Sequence, residues 1–185
     1  MELVRRRAFI GAALGLPAAG VLAQVIEEVP FVVTPDHVTR AMLEMADVKP
    51  GDFVLDLGSG DGRIVIAAAK QFGARGLGVD IVPDLVQKSR DTALRAGVAD
   101  RVEFRVQDLF ATDLTQATVI TMYLLPDVNL ALKPKLRALK PGTRIVSHDW
   151  DMGADWPPDR MQVVEVPDKR YGREMNSKVF LWVVR

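Results

Sequence analysis

At 185 residues the chain has room for one domain with a full core and not for two comfortable ones. Its 24 basic and 24 acidic side chains cancel, so no overall field draws it toward a nucleic-acid backbone. The absence of cysteine excludes disulfides, thiolate metal sites and a cysteine nucleophile, and two histidines, His37 and His148, are too few for a histidine-rich metal site.

Residues 1–23 stand apart from the rest. Arg5, Arg6 and Arg7 precede an uncharged run from Ala8 to Ala23, and Val21-Leu22-Ala23 reads as a small-residue cleavage site. That is the layout of a secretory signal. Arg6-Arg7-Ala8-Phe9-Ile10 resembles the twin-arginine signal, which exports folded proteins. The segment is expected to act as that signal or, left uncut, as a membrane anchor, although it is short for a span and holds Pro17. The folded domain is expected over residues 24–185.

Pro30 to Pro35 reads as an extended lead-in. A helix over 36–46 follows, with Val38, Ala41, Met42 and Met45 on one face, Thr34 as its cap and Pro35 at its first position. A strand over 53–57, an alanine-rich helix over 62–71 and a strand over 76–80 come next. The helix over 83–96 turns Leu85, Val86, Ser89 and Ala93 inward and is closed by Gly97. Then follow a strand over 102–106, a longer apolar strand over 118–125, a helix over 127–139 interrupted near Pro134, and a strand over 143–147. Strands alternating with helices at this pitch predict an α/β fold: a Rossmann-like, mostly parallel sheet with helices on both faces. Residues 161–166 and 179–184 break the alternation, because no helix separates these two strands. They predict a C-terminal antiparallel hairpin, which brings the sheet to seven strands and which a six-stranded dinucleotide domain would not need.

The stretch Val-Leu-Asp-Leu-Gly-Ser-Gly-Asp-Gly-Arg, residues 54–63, turns the first strand into a helix through three closely spaced glycines. Gly58 and Gly60 would let a ligand lie directly on the backbone. A dinucleotide, a nucleoside triphosphate or S-adenosylmethionine (SAM) could each use such a turn. For a dinucleotide the third glycine belongs where Arg63 stands, and it comes one residue early at Gly62. No Gly-Lys-Ser/Thr ending marks a triphosphate loop. Asp56 and Asp61 would repel a pyrophosphate and suit a ligand bearing an ammonium and a sulfonium. Asp80 ends the second strand, where a carboxylate accepts ribose hydroxyls, and Asp108, with Leu109 and Phe110, follows the third as an adenine contact. The plainer alternatives are a solvated strand end for Asp80 and a loop or cap acid for Asp108.

Residues 54–63, Gly-Val-Asp-Ile at 78–81 and Gln-Asp-Leu-Phe at 107–110 resemble the SAM-binding motifs of class I methyltransferases. More narrowly, residues 29–38, 57–70 and 118–129 are similar to bacterial relatives of the mitochondrial protein-lysine methyltransferases that act on the ATP synthase c-subunit and the adenine nucleotide translocase. The resemblance implies that Asp56, Gly58 and Gly60 hold the methionine moiety, that Asp80 beside Ile81 binds ribose, and that Asp108 with Leu109 meets adenine. It also implies that the lead-in from Phe31 to Thr34 folds over the cofactor. A protein lysine is then the expected acceptor, on a membrane protein if the mitochondrial targets are a guide, and nucleic acid is not expected.

Tyr123, Leu124, Leu125 and Pro126 occupy the place where this fold meets its acceptor. Base-amine methyltransferases usually carry Asn/Asp-Pro-Pro-aromatic there, so this segment fits a protein amine better. Tyr123 and Asp149 are the candidate catalytic residues, and His148 and Asp151 could orient or deprotonate an amine. Export conflicts with a cytoplasmic supply of SAM. An uncut anchor beside a membrane substrate, export with ligand bound, or a true start inside the sequence would each remove the conflict. The rival functions are methylation of a small-molecule amine or hydroxyl and non-catalytic SAM or nucleoside binding in the envelope.

Overall fold

The computed structural model describes residues 32–167 and 175–185. Phe31 and the predicted signal over residues 1–23 lie outside the described residues. Helix α1 spans Asp36–Met45, strand β1 Phe53–Leu57, helix α2 Arg63–Phe72, strand β2 Arg75–Asp80, helix α3 Pro83–Ala96 and strand β3 Val102–Val106. Strand β4 spans Val119–Met122, helix α4 Pro126–Arg137, strand β5 Arg144–His148, strand β6 Arg160–Glu165 and strand β7 Asn176–Val183.

The seven strands form one sheet in the order β3-β2-β1-β4-β5-β7-β6. The five strands from β3 to β5 are parallel, and β7 runs antiparallel between β5 and β6. The predicted hairpin is therefore present, with its second strand inside the sheet and its first at the edge. Burial explains the order: β7 is buried at Ser177, Val179, Phe180, Leu181 and Trp182, whereas β6 is largely exposed.

Alternation along the strands divides the core in two. Leu55, Leu57, Ile120, Met122 and Trp182 face Leu132 and Leu136 of α4 on one side. Val54, Val119, Val146, Val179 and Leu181 face Val38, Met42 and Ile64 on the other. At the opposite end of the sheet from the glycine turn, Arg144 ion-pairs with Asp52 and donates to the Ala46 and Asp47 carbonyls at 2.7 and 2.9 Å. That contact fastens the end of α1 to β5 and to the start of β1.

Four local expectations change. Pro35, not Thr34, sits at the N-cap of α1, and no side chain among the described residues caps that helix. The predicted strand over 118–125 is only Val119–Met122, because Leu125 is already the N-cap of α4. Pro134 does not interrupt α4, which runs through it to Arg137. Pro134 lies on the exposed side while Leu132 and Leu136 are fully buried, so packing holds the helix across the one lost backbone bond. Finally, Gly62 caps α2 rather than opening it.

Candidate active site

The glycine turn is clipped to the neighbouring strand. Gly58 N and Ser59 N both donate to the Val79 carbonyl, at 3.0 and 2.9 Å. Asp80, at the end of β2, accepts Gly60 N at 2.8 Å through Oδ2 and Val82 N at 3.0 Å through Oδ1. Its carboxylate thus organises the turn, and its remaining lone pairs are what a ribose diol would use. The left-handed backbone at Gly58, Gly60 and Gly62, φ 75°, 52° and 78°, keeps side chains out of this turn. A Cβ at Gly62 would meet the Phe104 ring and the Ser89 Cβ at 2.8 Å. This glycine serves close packing beneath the turn rather than ligand contact.

The acids of the turn have different fates. Asp56 is fully buried at the end of β1 and accepts a hydrogen bond from Thr121 Oγ1 at 2.7 Å. Burial pushes its pKa up to about 7, the Thr121 bond opposes the rise, and the charges of Asp80 and Asp61 add to it. Asp61 instead pairs with Arg63, 2.7 Å away, and has Lys88 at 3.9 Å. Burial alone would raise Asp61, but the Arg63 hydrogen bond and the two cations bring it below the ordinary carboxylate range. The expectation that Asp61 offers its charge to a cationic ligand is therefore replaced by an internal ion pair. Arg63, in the slot that excluded a dinucleotide, also donates to the Thr34 carbonyl at 3.0 Å and to Asp36. It ties the lead-in to the glycine turn.

Gln107 N donates to the Asp80 carbonyl at 2.9 Å, which brings the 107–110 loop alongside the end of β2. Asp108 Oδ1 accepts Phe110 N at 2.8 Å, so this acid also shapes its own loop. Leu109 and Phe110 are half-buried against the main core. Ile81, Val82 and Val106 remain 37, 38 and 49 % exposed around Asp80. A carboxylate at a strand end with apolar neighbours and a second acid in the adjoining loop fits a ribose and a base. These acceptors suit the hydroxyls and amino group of an adenosine ligand, and the glycine turn beside them would leave backbone for its methionine end.

Across the C-terminal edge of the sheet, past β4 and β5, lies a second polar cluster. Tyr123 OH donates to Asp149 Oδ2 at 3.3 Å. Burial first, then the charge of Asp149 and this hydrogen bond, push the Tyr123 pKa up to about 12. The phenol stays protonated at neutral pH and acts as a donor, not as a base. Asp149 adopts φ 63°, left-handed for a residue with a Cβ, and β7 holds it there: Asp149 N donates to the Lys178 carbonyl, and Lys178 N donates to Asp149 Oδ1 at 2.9 Å. Backbone strain of this kind concentrates at functional sites. His148 is 1 % exposed and stacks on Tyr123 with ring centroids 3.8 Å apart. Its Nδ1 lies 3.2 Å from Thr34 Oγ1 and its Nε2 2.8 Å from Ser177 Oγ.

The structure thus gathers Asp56, Gly58, Gly60, Asp80, Ile81, Asp108 and Leu109 around β1–β3, and Tyr123 with Asp149 beyond β4 and β5. Thr34 is drawn to His148. Asp151 accepts Gly153 N at 2.9 Å. Sequence reasoning missed Thr121, Ser147, Asn129 and Ser177. Asn129 Nδ2 donates to Ser147 Oγ and to the Trp150 carbonyl, both at 3.2 Å, which fixes the loop that carries Asp149. A buried serine inside an apolar strand is the only signal that pointed there.

Residues 56–160 match the model of the ANTKMT methyltransferase domain. The chain is 42 % identical to a protein-lysine N-methyltransferase of Saccharolobus islandicus (strain REY15A), over 86 % of this chain and 96 % of that protein. It is 35 % identical to the human lysine N-methyltransferase of the ATP synthase c-subunit over 71 % of this chain, and spans little more than half, 56 %, of that longer protein. It also resembles the crystal structure of an RNA methyltransferase from Salinibacter ruber in complex with S-adenosyl-L-homocysteine, with 52 % identity, a TM-score of 0.74, and 83 % of this chain and 94 % of that one covered.

Proposed function

Because the chain belongs to the ANTKMT methyltransferase family and uses SAM as its methyl donor, we propose that it methylates the ε-amine of a lysine in a protein, at the cluster formed by Tyr123 and Asp149. The carrying observation is the strained, β7-clamped Asp149 with Tyr123 OH at 3.3 Å, on the same sheet edge as Asp80 and the glycine turn.

When bound, SAM would supply a methyl group on a sulfonium, open to in-line attack by a neutral amine as the sulfur keeps the bonding pair and leaves as a neutral thioether. The chain's own residues do the rest. Asp80 and the 81–82 and 107–110 segments hold the adenosine end, and Gly58 and Gly60 with Asp56 hold the amino-acid end. Asp149 accepts a proton from the lysine ammonium and so frees its lone pair. Tyr123 donates to the same carboxylate and fixes which oxygen faces the amine.

Leu125, two residues past Tyr123, and Trp150, next to Asp149, are 41 and 43 % exposed. Apolar side chains at the mouth support an acceptor lysine set in apolar surface, as on a membrane protein. The arginine-led apolar run over residues 5–23 supports delivery of the enzyme to a membrane. An RNA acceptor has the Salinibacter ruber relative in its favour, and against it stand the balanced charge and the Tyr-Leu-Leu-Pro segment at 123–126.

The test uses tritiated SAM with the wild-type enzyme and Asp149→Asn against membrane-protein, soluble-protein and RNA fractions of the source cell. Label recovered as methyllysine is expected, together with a fall of roughly 10²- to 10⁴-fold in D149N at unchanged SAM affinity. Label in RNA alone would overturn the acceptor, and a D149N rate within threefold of wild type would overturn the role of Asp149.

A further inference from the structure

His148 is invested with more contacts than a core histidine needs. It is buried, and both ring nitrogens are committed to hydroxyls from distant parts of the chain: Thr34 in the lead-in and Ser177 in β7. Those hydroxyls belong to residues that are themselves 4 % and 1 % exposed. One ring face lies against Tyr123, tilted by 34°, and its Nε2 is 3.6 Å from Asp149 Oδ2. The lead-in that carries Thr34 is held in turn by Arg63, one residue beyond the glycine turn.

We propose that His148 is a positioning residue for methyl transfer: its ring and two hydroxyl contacts lock the lead-in, the end of β4 and β7 into one wall, which fixes Tyr123 and Asp149 relative to the cofactor turn. The inference rests on the reading of Tyr123 and Asp149 as the acceptor site. The side-chain chemistry explains why a histidine is used. Phenylalanine would keep the stacked face and leave Thr34 Oγ1 and Ser177 Oγ buried without partners. Glutamine would reach the hydroxyls but offer no ring to Tyr123. Histidine alone combines a flat face with polar atoms on opposite edges. His148 does not touch the acceptor. It acts through Tyr123, whose free orientation it removes, and through Thr34, which it brings to the sheet edge.

Small displacements of reacting groups are costly, about 10²-fold per ångström. The expectation for His148→Phe is therefore a drop of roughly 10- to 100-fold in the rate at saturating acceptor, with the SAM dissociation constant within threefold of wild type. Ser177→Ala, which removes one contact and keeps the ring, should lose several-fold. In the double variant the Ser177→Ala loss should vanish, since the histidine through which it acts is gone.

The assay is the initial rate of tritium transfer at saturating SAM over a titration of the membrane-protein fraction. Rates are normalised to folded enzyme by circular dichroism, with SAM binding measured by calorimetry. If H148F folds poorly, S177A carries the test. Normal rates per folded molecule in these variants, with only thermal stability reduced, would show a purely structural histidine and overturn the proposal. A ten-fold weakening of SAM binding with an unchanged saturated rate would overturn it too. Failure of the underlying reading looks different: Asp149→Asn would then keep a rate within threefold of wild type, or the wild-type enzyme itself would transfer no label to protein.

Discussion

Gly62 and Gly97 share a backbone and differ in their surroundings, which allows a dihedral cost to be separated from a packing cost. Gly62 has φ 78° and Gly97 φ 71°. An alanine at either must adopt the left-handed region, for about 1–2 kcal/mol. At Gly97 nothing lies within 4 Å of the new Cβ, so the dihedral is the whole effect. At Gly62 the Cβ would sit 2.8 Å from Phe104 Cε1 and Cζ and from Ser89 Cβ. Phe104 is 2 % exposed and Ser89 fully buried, so neither can swing into solvent. Overpacking of this kind costs about 1–3 kcal/mol. The expected destabilisation is then roughly 2–5 kcal/mol for Gly62→Ala and about 1–2 kcal/mol for Gly97→Ala. Urea unfolding followed by far-ultraviolet circular dichroism measures both, provided the denaturant slope is unchanged. Because Gly62 anchors the turn that presents Gly58 and Gly60, its variant should also bind SAM more weakly, and Gly97→Ala should not. Equal costs at the two positions would refute the assignment of Gly62 to packing against Phe104.

Asp80→Ala removes the acceptor of Gly60 N and Val82 N together with the proposed ribose partner. The SAM dissociation constant measured by calorimetry should rise by roughly 5- to 150-fold, the equivalent of leaving polar partners unpaired, and an unchanged value in a folded variant would rule Asp80 out of the cofactor site. Asp56 gives a pH prediction. Its folded pKa of about 7 lies above its unfolded value, so between these two pH values the unfolded chain has released a proton that the folded chain still holds. Stability attributable to Asp56 therefore falls as pH rises from about 4 to about 7. Asp56→Asn keeps an oxygen for Thr121 and removes this penalty, so its stability relative to wild type should grow across that window in urea titrations; a pH-independent difference would contradict the burial argument.

The cofactor half of the molecule was legible because its signals are local. The glycines, Asp80 and the strand–helix alternation are spaced along the chain as they are in space, and parallel βαβ units follow from that spacing. The acceptor half was not, because its partners are remote in sequence. Thr34 reads as a helix cap from its neighbours, yet its hydroxyl goes to His148, which no periodicity connects to it. Asp56 and Asp61 look alike in a glycine turn, and only three dimensions show that one meets a threonine and the other an arginine. Pro134 was read as a break by local rule, and tertiary packing of Leu132 and Leu136 overrode it. Tyr123 and Asp149 were singled out by their places just past the fourth and fifth strands, and their mutual contact came only with the fold.

The insertion of β7 between β5 and β6 sets the order in which the enzyme can come into being. Strands β1 to β5 can pair as they leave the ribosome, each beside one already made. The clamp on Asp149 and the Ser177 partner of His148 both belong to β7, which is synthesised after all of them. A nascent chain can thus shape its glycine turn early while Asp149 is still unheld. The glycine turn and the Tyr123–Asp149 cluster belong to different stages of assembly: one needs only the first strands, the other the last.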